Sequence, residues 1–161
     1  MIAIRKATVK DKEALINALF QVMADGSKLG YGSPMVASRE NAALLYAMTI
    51  HQGLVAGDPI LLAEEDGAVV GVSITLIRRG PIAFVAPTAY GTGWWVEPAY
   101  RRKRVLSTLL EKTEQMLRAA HIAIWEEYIF EPNMISTRVA LKRGFTGVLR
   151  AFQKQLIPQT H

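Results

Sequence analysis

Four consecutive cations, Arg101 to Arg104, follow the junction between an apolar strand pattern and a helix pattern. The strand pattern ends at Val96, and Pro98 lies between it and the cations. The free N–H groups and the dipole of a helix N-terminus attract anions, phosphate above all. The stretch therefore predicts a phosphate-binding turn. The alternative interpretation of the same residues is a solvated, basic start of a helix.

The composition limits the kinds of protein this chain can be. Its 161 residues predict one domain, and half of them are hydrophobic, which is enough to bury a substantial core. Cysteine is absent and His51, His121 and His161 are scattered, so we expect neither a disulfide nor a metal site. No stretch resembles a secretory signal or is apolar enough to span a bilayer, which predicts a cytoplasmic protein without membrane contact.

The net charge of +5 favours an anionic partner, either a phosphorylated cofactor or a nucleic acid. A nucleic acid would contact Arg78, Arg79 and the run Arg101 to Arg104. No nucleic-acid-binding motif accompanies these cations, and no aromatic residues alternate with the run to form a stacking platform. Binding of a nucleic acid is therefore the last of the functions we consider.

Periodicity and turn residues predict the elements that position this stretch. Strands are predicted at residues 2–7, 60–64, 68–77, 90–96, 122–130 and 148–156, with 82–86 either a short strand or an extended loop. Helices are predicted at residues 9–24, 38–54, 102–119 and 133–142. A strand, a helix and a strand in succession imply a parallel pair, so we expect an α/β fold with a mixed sheet and helices on its faces.

Local signals predict where the first two helices begin and end. Thr8 and Asp11 are spaced as a capping box with Asp in place of Glu, and Ser38 is a candidate N-cap of the second helix. Asp25-Gly26 is predicted to end the first helix.

Glycines predict turns and close contacts in the sheet. Asp66-Gly67 lies between two apolar runs and predicts a tight hairpin turn with positive φ. Gly91 and Gly93 predict a bulge or a close backbone approach in their strand, and Gly144 suits a left-handed cap after the last helix.

Three motifs in this order and spacing resemble those of the GNAT N-acetyltransferase superfamily. The resemblance lies in residues 4–11, in residues 96–103, and in Asn133 with Ser136 followed by residues 141–145. It implies a single domain over residues 1–161. The implied fold has a central, mostly antiparallel sheet flanked by helices, with one parallel, splayed pair of strands. A V-shaped opening between strands 90–96 and 122–130 would receive the pantetheine arm of acetyl-CoA.

The resemblance also implies which residues hold acetyl-CoA as a co-substrate. Main-chain groups of Trp94, Trp95 and Val96 would pair with the pantetheine amides. The pyrophosphate would lie on the turn and its N–H groups, which comprise Arg101, Arg102, Lys103, Arg104, Val105, Leu106 and Ser107. Asn133 matches the family's polar contact to the cofactor.

Three positions depart from the family's pattern. Arg104 and Leu106 replace the two small residues of the phosphate loop, and Arg104 would either contact phosphate or block its approach. Leu106 fits the apolar stripe of its helix and would turn into the core. Many members place a tyrosine acid where this chain has Ala140, so no acid is assigned and water is the candidate donor to the leaving thiolate.

Glu126, Glu127 and Glu131 are the candidate general bases for deprotonating an amine acceptor. Adjacent strand residues face opposite ways, so one of Glu126 and Glu127 is expected to face the opening. Burial there would raise its pKa toward neutrality. An ordinary surface carboxylate is the alternative interpretation of each of the three.

We therefore interpret the chain as an acetyl-CoA-dependent N-acetyltransferase, acting by direct attack of an amine of a small molecule or protein on the thioester. A catalytically inactive module of the same fold, with a binding or regulatory role, is the first alternative. The replaced small residues and the missing tyrosine motivate it. Sheet edges and an apolar second helix are compatible with a homodimer.

Overall fold

The computed structural model describes residues 1–28, 37–79, 87–129 and 133–147. The predictions at residues 82–86 and 148–156, together with Glu131, fall outside these ranges. No helix within these ranges has the length and apolar character needed to cross a bilayer.

In the part of the chain that the structure describes, five strands form one sheet in chain order. They are β1 (Ala3–Lys6), β2 (Ile60–Glu65), β3 (Ala68–Ile77), β4 (Thr88–Val96) and β5 (Ile124–Glu127). The first three pairings are antiparallel, and β4 pairs with β5 in parallel. The mixed sheet with one parallel pair is thus confirmed, because a crossover helix separates β4 from β5 whereas a tight turn joins β2 to β3. In that turn Asp66 and Gly67 have φ of 51° and 79°, as the hairpin prediction requires.

The helices lie on both sides of the sheet. They are α1 (Lys12–Lys28), α2 (Arg39–Leu45), α3 (His51–Ala56), α4 (Val105–Ala119) and α5 (Met134–Lys142). A π-helical stretch, Tyr46–Ile50, joins α2 to α3, so the second predicted helix is present with one interruption. It ends at Gly57, whose φ of 79° is the left-handed cap conformation.

The predicted caps of the first two helices are present. Thr8 and Asp11 form the capping box, and the Asp11 carboxylate accepts from Thr8 N–H at 2.7 Å. Ser38 accepts from Asn41 N–H at 3.1 Å. The predicted end of the first helix at Asp25-Gly26 is wrong, because α1 continues to Lys28. Asp25 forms ion pairs with Arg101 and Lys28, and these contacts oppose the ~1 kcal/mol that glycine costs within a helix.

Two apolar clusters pack against the two faces of the sheet. The first joins α1 and the α2–α3 segment to one face, with Leu15, Leu19 and Ile50 fully buried. The second joins α4 to the other face through Val105 and Leu109. Burying each such side chain contributes about 1.5–3 kcal/mol, so the two layers hold β3 and β4 rigidly between them.

The chain beyond β4 follows the predicted order with shorter elements. The helix predicted from residue 102 begins at Val105, and the strand predicted over 122–130 is limited to Ile124–Glu127. Asn133 caps α5, and Gly144 has a φ of 85°, which confirms the left-handed cap.

Candidate functional site

Strands β4 and β5 separate halfway along β4. Their pairing covers Thr88 to Gly91 and ends at Glu127. The β3–β4 register slips between Ile74 and Thr75, so Thr92 is an extra residue, which is the bulge that the flanking glycines predict. Among the described residues, no strand pairs with the β5 side of residues 92–96. This is the opening that the family resemblance implied.

The main chain of Val96 points into this opening. Glu97 N–H donates to Val70 O at 3.0 Å, which makes Val96 and Gly71 a pair that exchanges no hydrogen bonds. By the alternation of an antiparallel ladder, the N–H groups of Trp94 and Val96 face away from β3 and those of Trp95 face toward it. The opening therefore presents the N–H and C=O of Trp94 and the N–H of Val96, because Val96 O accepts from Arg101 Nε at 2.9 Å. The main-chain groups of Trp95, which were predicted to pair with the pantetheine amides, face β3 instead.

A cavity of about 240 Å³ lies where the strands diverge. Its walls come from the end of α1, the middle of β4, the end of β5 and the start of α5. The lining residues are Val22, Met23, Gly26, Ser27, Gly91, Thr92, Gly93, Trp94, Glu127, Tyr128, Ile129, Asn133 and Ser136. Glu127 is the only Asp or Glu among them.

The Glu127 carboxyl lies against the backbone of its strand partner, Gly91. A Cβ at Gly91 would overlap this carboxyl, so a larger residue there would displace the Glu127 side chain from its present position. Within the described part of the chain, no cation forms an ion pair with Glu127. Burial raises the pKa of Glu127 to about 8, and the nearby Trp125 side chain opposes this only in part. A carboxyl with such a pKa suits a general base near neutral pH.

Glu126 has a different environment from its neighbour. It accepts from the Arg78 guanidinium at 2.7 Å, and the Tyr128 hydroxyl is 3.2 Å away. Arg78 also stacks over the Tyr90 ring, with 5.3 Å between the guanidinium carbon and the centroid. Of the two adjacent candidate bases, Glu127 lines the cavity and Glu126 is part of an ion pair.

The four-cation run forms the turn before α4 and not its first residues. Arg102 and Arg104 have φ of 65° and 63°, the left-handed conformation that favours glycine. Thr108 N–H donates to Arg104 O at 3.0 Å. The N–H groups of Val105, Leu106 and Ser107 precede that bond and, like those of any first helical turn, have no partner within the helix. The backbone therefore holds a glycine-like turn without glycine.

The four cationic side chains take different directions. Arg101 donates from Nε to Val96 O at 2.9 Å and from NH2 to Asp25 at 2.9 Å, so it joins the end of β4 to α1. Lys103 Nζ lies 5.0 Å from the centroid of the Tyr100 ring. Arg102 and Arg104 are exposed and make no ion pair with any described residue. They are the cations left available to an anion.

Leu106 lies as the sequence predicted, and the two tryptophan side chains have different surroundings. Leu106 packs against the second apolar cluster, so its side chain turns away from the N–H groups of the helix start. Trp95 packs against the first cluster. Trp94 lines the cavity, and its indole N–H donates to Ser136 Oγ at 3.4 Å.

Asn133 has a structural contact within α5. Its side-chain oxygen accepts from Ser136 N–H at 3.0 Å and caps the helix. The sequence did not reveal the fit between Gly91 and Glu127 or the pairing of Arg78 with Glu126. The two glycines at 91 and 93 signalled a close approach in β4 but not the partner, which depends on the β4–β5 register.

Comparison with known proteins identifies the family. The profile of the acetyltransferase (GNAT) family matches residues 18–145, most of the chain. The chain therefore belongs to the GNAT acetyltransferase family. No curated protein sequence matched it closely enough to be counted.

Solved structures share its fold at low identity. The aminoglycoside N-acetyltransferase AAC(6')-Iy in complex with CoA is 20% identical with a TM-score of 0.70, over 98% of this chain and 96% of that chain. A GCN5-related N-acetyltransferase from Ralstonia eutropha is 14% identical with a TM-score of 0.73, over 96% and 99%. A predicted acetyltransferase with acetyl-CoA from Clostridium acetobutylicum is 16% identical with a TM-score of 0.72, over 97% of both. At these identities the likeness shows the fold alone.

Proposed function

We propose that this protein is an acetyl-CoA-dependent N-acetyltransferase in which Glu127 is the general base. The observation that carries the proposal is the Glu127 carboxyl, buried in the cavity where β4 and β5 diverge and without a cationic partner among the described residues. The family membership and the CoA-bound structures with the same fold support acetyl-CoA as co-substrate.

The binding of acetyl-CoA would use the open half of β4 and the start of α4. Trp94 would offer its main-chain N–H and C=O to the pantetheine amides, which leaves the N–H of Val96 for the thioester carbonyl. The N–H groups of Val105 to Ser107 would receive the pyrophosphate, supported by the helix dipole and by Arg102 and Arg104. Leu106 leaves this turn clear because it packs into the core.

The reaction would be a direct transfer. An ammonium group of the acceptor gives one proton to Glu127, and the neutral amine attacks the thioester carbonyl carbon. The N–H of Val96 would polarise the carbonyl oxygen. A C–N bond forms and the C–S bond breaks, while the second proton of the nitrogen passes to the leaving CoA thiolate, directly or through water. The products are the N-acetyl amine and CoA, and Glu127 later releases its proton to solvent.

The base assignment is tested with two matched amides, Glu127→Gln and Glu126→Gln. Release of CoA thiol is followed over a panel of amines at about pH 8. Glu127→Gln should lower kcat/KM about 10²–10⁴-fold, the usual contribution of general base catalysis, whereas Glu126→Gln should retain most of the activity. Equal losses in the two variants, or a loss confined to Glu126→Gln, would contradict the assignment.

Ligand binding separates catalysis from a purely binding role. Acetyl-CoA, CoA and an oligonucleotide are each added in thermal unfolding, since a ligand that prefers the native state raises the midpoint. We expect stabilisation by both coenzymes and none by the oligonucleotide. Stabilisation by acetyl-CoA without thiol release on any amine would favour the inactive module. Stabilisation by the oligonucleotide alone would favour nucleic-acid binding.

A further inference from the structure

The proposed function does not specify which class of amine is the acceptor. The positions of the carboxylates around the cavity limit the classes that can bind. The chain has 14 Asp and Glu residues. Of the Asp and Glu residues that the structure describes, only Glu127 lines the cavity. The ranges outside the described residues contain a single acidic residue, Glu131. Among the described residues, Glu127 is therefore the one carboxylate that lines the cavity, and it forms no ion pair with a described cation.

The two acids directly next in sequence to lining residues, Asp25 and Glu126, already have partners. Asp25 adjoins the lining residue Gly26, but its carboxylate accepts from Arg101 at 2.9 Å and lies 3.6 Å from Lys28 Nζ. On the opposite side Glu126 pairs with Arg78 at 2.7 Å. Each of these carboxylates is neutralised by a cation of the protein itself, so neither offers a binding site to a second ammonium group.

The rest of the cavity wall is mainly apolar. Val22 and Met23 of α1, Ile129 and the Trp94 ring supply its apolar surface. The other side chains that line it, apart from Glu127, are neutral and polar: Ser27, Thr92, Tyr128, Asn133 and Ser136. A second ammonium group placed against these side chains would lose its hydration without gaining a counter-charge, which is strongly unfavourable. The cavity volume of about 240 Å³ also lies below the range of about 300–1,000 Å³ typical of sites for larger ligands.

We infer that the acceptor is a small primary monoamine with an apolar body, and that polycationic amines are poor substrates. The inference rests on the proposed function. The single ammonium group would meet the Glu127 carboxyl, and the apolar body would lie against Val22, Met23 and Trp94. The protein's net charge of +5 also repels a polycation more strongly than a monocation.

The test compares 2-phenylethylamine and n-hexylamine with spermidine and kanamycin. Thiol release gives kcat/KM, and calorimetry on the CoA-saturated protein gives binding independently of turnover. Both monoamines should exceed both polycations by at least about tenfold in kcat/KM and in affinity, a difference of one decade. A preference for spermidine or kanamycin, or no binding of either monoamine, would overturn the inference.

Two variants at Ser27 that have nearly the same shape and differ in charge provide the second test. Ser27 lines the cavity, is exposed, and lies in the last turn of α1. Ser27→Asp adds a carboxylate, and Ser27→Asn adds nearly the same shape without charge. The ratio of spermidine to phenylethylamine kcat/KM should rise about threefold in Ser27→Asp over Ser27→Asn, as expected of one partly exposed charge pair. Equal ratios in the two variants would contradict the argument from charge.

The two proposals fail in different ways. No thiol release with any amine, together with no coenzyme binding, would contradict the proposed function. Turnover that favours polycations would leave the acetyltransferase proposal standing and remove only the monoamine inference. Glu131→Gln completes the series, because a loss of monoamine affinity equal to that in Glu127→Gln would show that a second carboxylate takes part.

Discussion

Two regions of the molecule treat partly buried carboxylates in opposite ways. At the antiparallel edge of the sheet, the Arg5 guanidinium binds both Asp11 oxygens, at 2.7 and 2.9 Å, and also reaches Glu64. Hydrogen bonding to Arg5 holds the pKa of Asp11 well below its usual range. In the parallel strand pair, Glu127 has no cationic partner among the residues that the structure describes, and burial raises its pKa to about 8.

The difference separates a structural carboxylate from a candidate functional one. Asp11 completes a capping box and connects β1 to the start of α1, so its charge is stabilised by cation and backbone. Glu127 lies in a cavity against Gly91, and within the described ranges no cation stabilises its charge. Carboxyl groups whose environments shift their pKa values in opposite directions commonly divide roles in this way.

Of the variants that test this contrast, Gly91→Ala is expected to have the largest effect, because the Glu127 carboxyl packs against Gly91. Gly91→Ala places a Cβ in the space of the carboxyl, so the base must move and its alignment with the amine is lost. We expect kcat/KM to fall about 100-fold while coenzyme binding changes little, as measured by thiol release and calorimetry. Gly147→Ala is the control, because a Cβ there meets nothing within 4 Å. Full activity in Gly91→Ala would contradict the close fit.

The next largest effect is expected from Asp11→Asn, which removes the structural carboxylate. Asp11→Asn should lower the free energy of unfolding by about 2 kcal/mol near pH 7, because it removes charge-assisted bonds to Arg5. Since the folded pKa of Asp11 is lowered, its stabilisation is present above the unfolded value near 3.8 and is lost as pH falls. The deficit of Asp11→Asn in urea unfolding should therefore shrink in acid.

An exposed ion pair provides the control for that variant. Glu13 pairs with Arg39 while 68% of the Glu13 side chain is exposed, so Glu13→Gln should change stability by less than about 0.5 kcal/mol. Similar losses in Asp11→Asn and Glu13→Gln would remove the contrast between the buried network and an ordinary surface pair.

Replacing the Glu127 carboxyl with an amide should change the pH dependence of stability in the opposite direction to Asp11→Asn. Because its folded pKa is raised, the stability linked to Glu127 is full below about 4.5 and is lost as pH rises through about 8. Glu127→Gln removes that loss and should be more stable than the wild type near pH 9, with a much smaller difference near pH 5. A variant that gains stability while losing activity would mark Glu127 as a functional group. Destabilisation at both pH values would indicate a structural one.

The smallest effect concerns the left-handed turn before α4. Arg104 has a φ of 63°, so Arg104→Gly should raise the free energy of unfolding by about 0.5–1 kcal/mol through relief of strain. Lys103, which has no positive φ, is the control, and Lys103→Gly should be neutral or destabilising. Equal changes in the two variants would show that the turn is not strained.

The sequence predicted the fold better than the details of the site. The Asp66-Gly67 turn, the Thr8 cap and the apolar stripe of α4 are local signals, and each determines the structure of its own segment. The end of α1 was mispredicted because the Asp25–Arg101 contact joins residues 76 positions apart. The choice between Glu126 and Glu127 required the β4–β5 register, which the alternation of strand residues alone does not fix.

The central claim is that Glu127 is a buried carboxyl that titrates near neutral pH. Protein labelled with ¹³C at glutamate side chains is titrated by NMR without ligand, and Glu127→Gln identifies the resonance. The account predicts a carboxyl that titrates with a pKa of about 8 and is absent from the variant. A Glu127 resonance that titrates near the ordinary value of about 4.5 would contradict it.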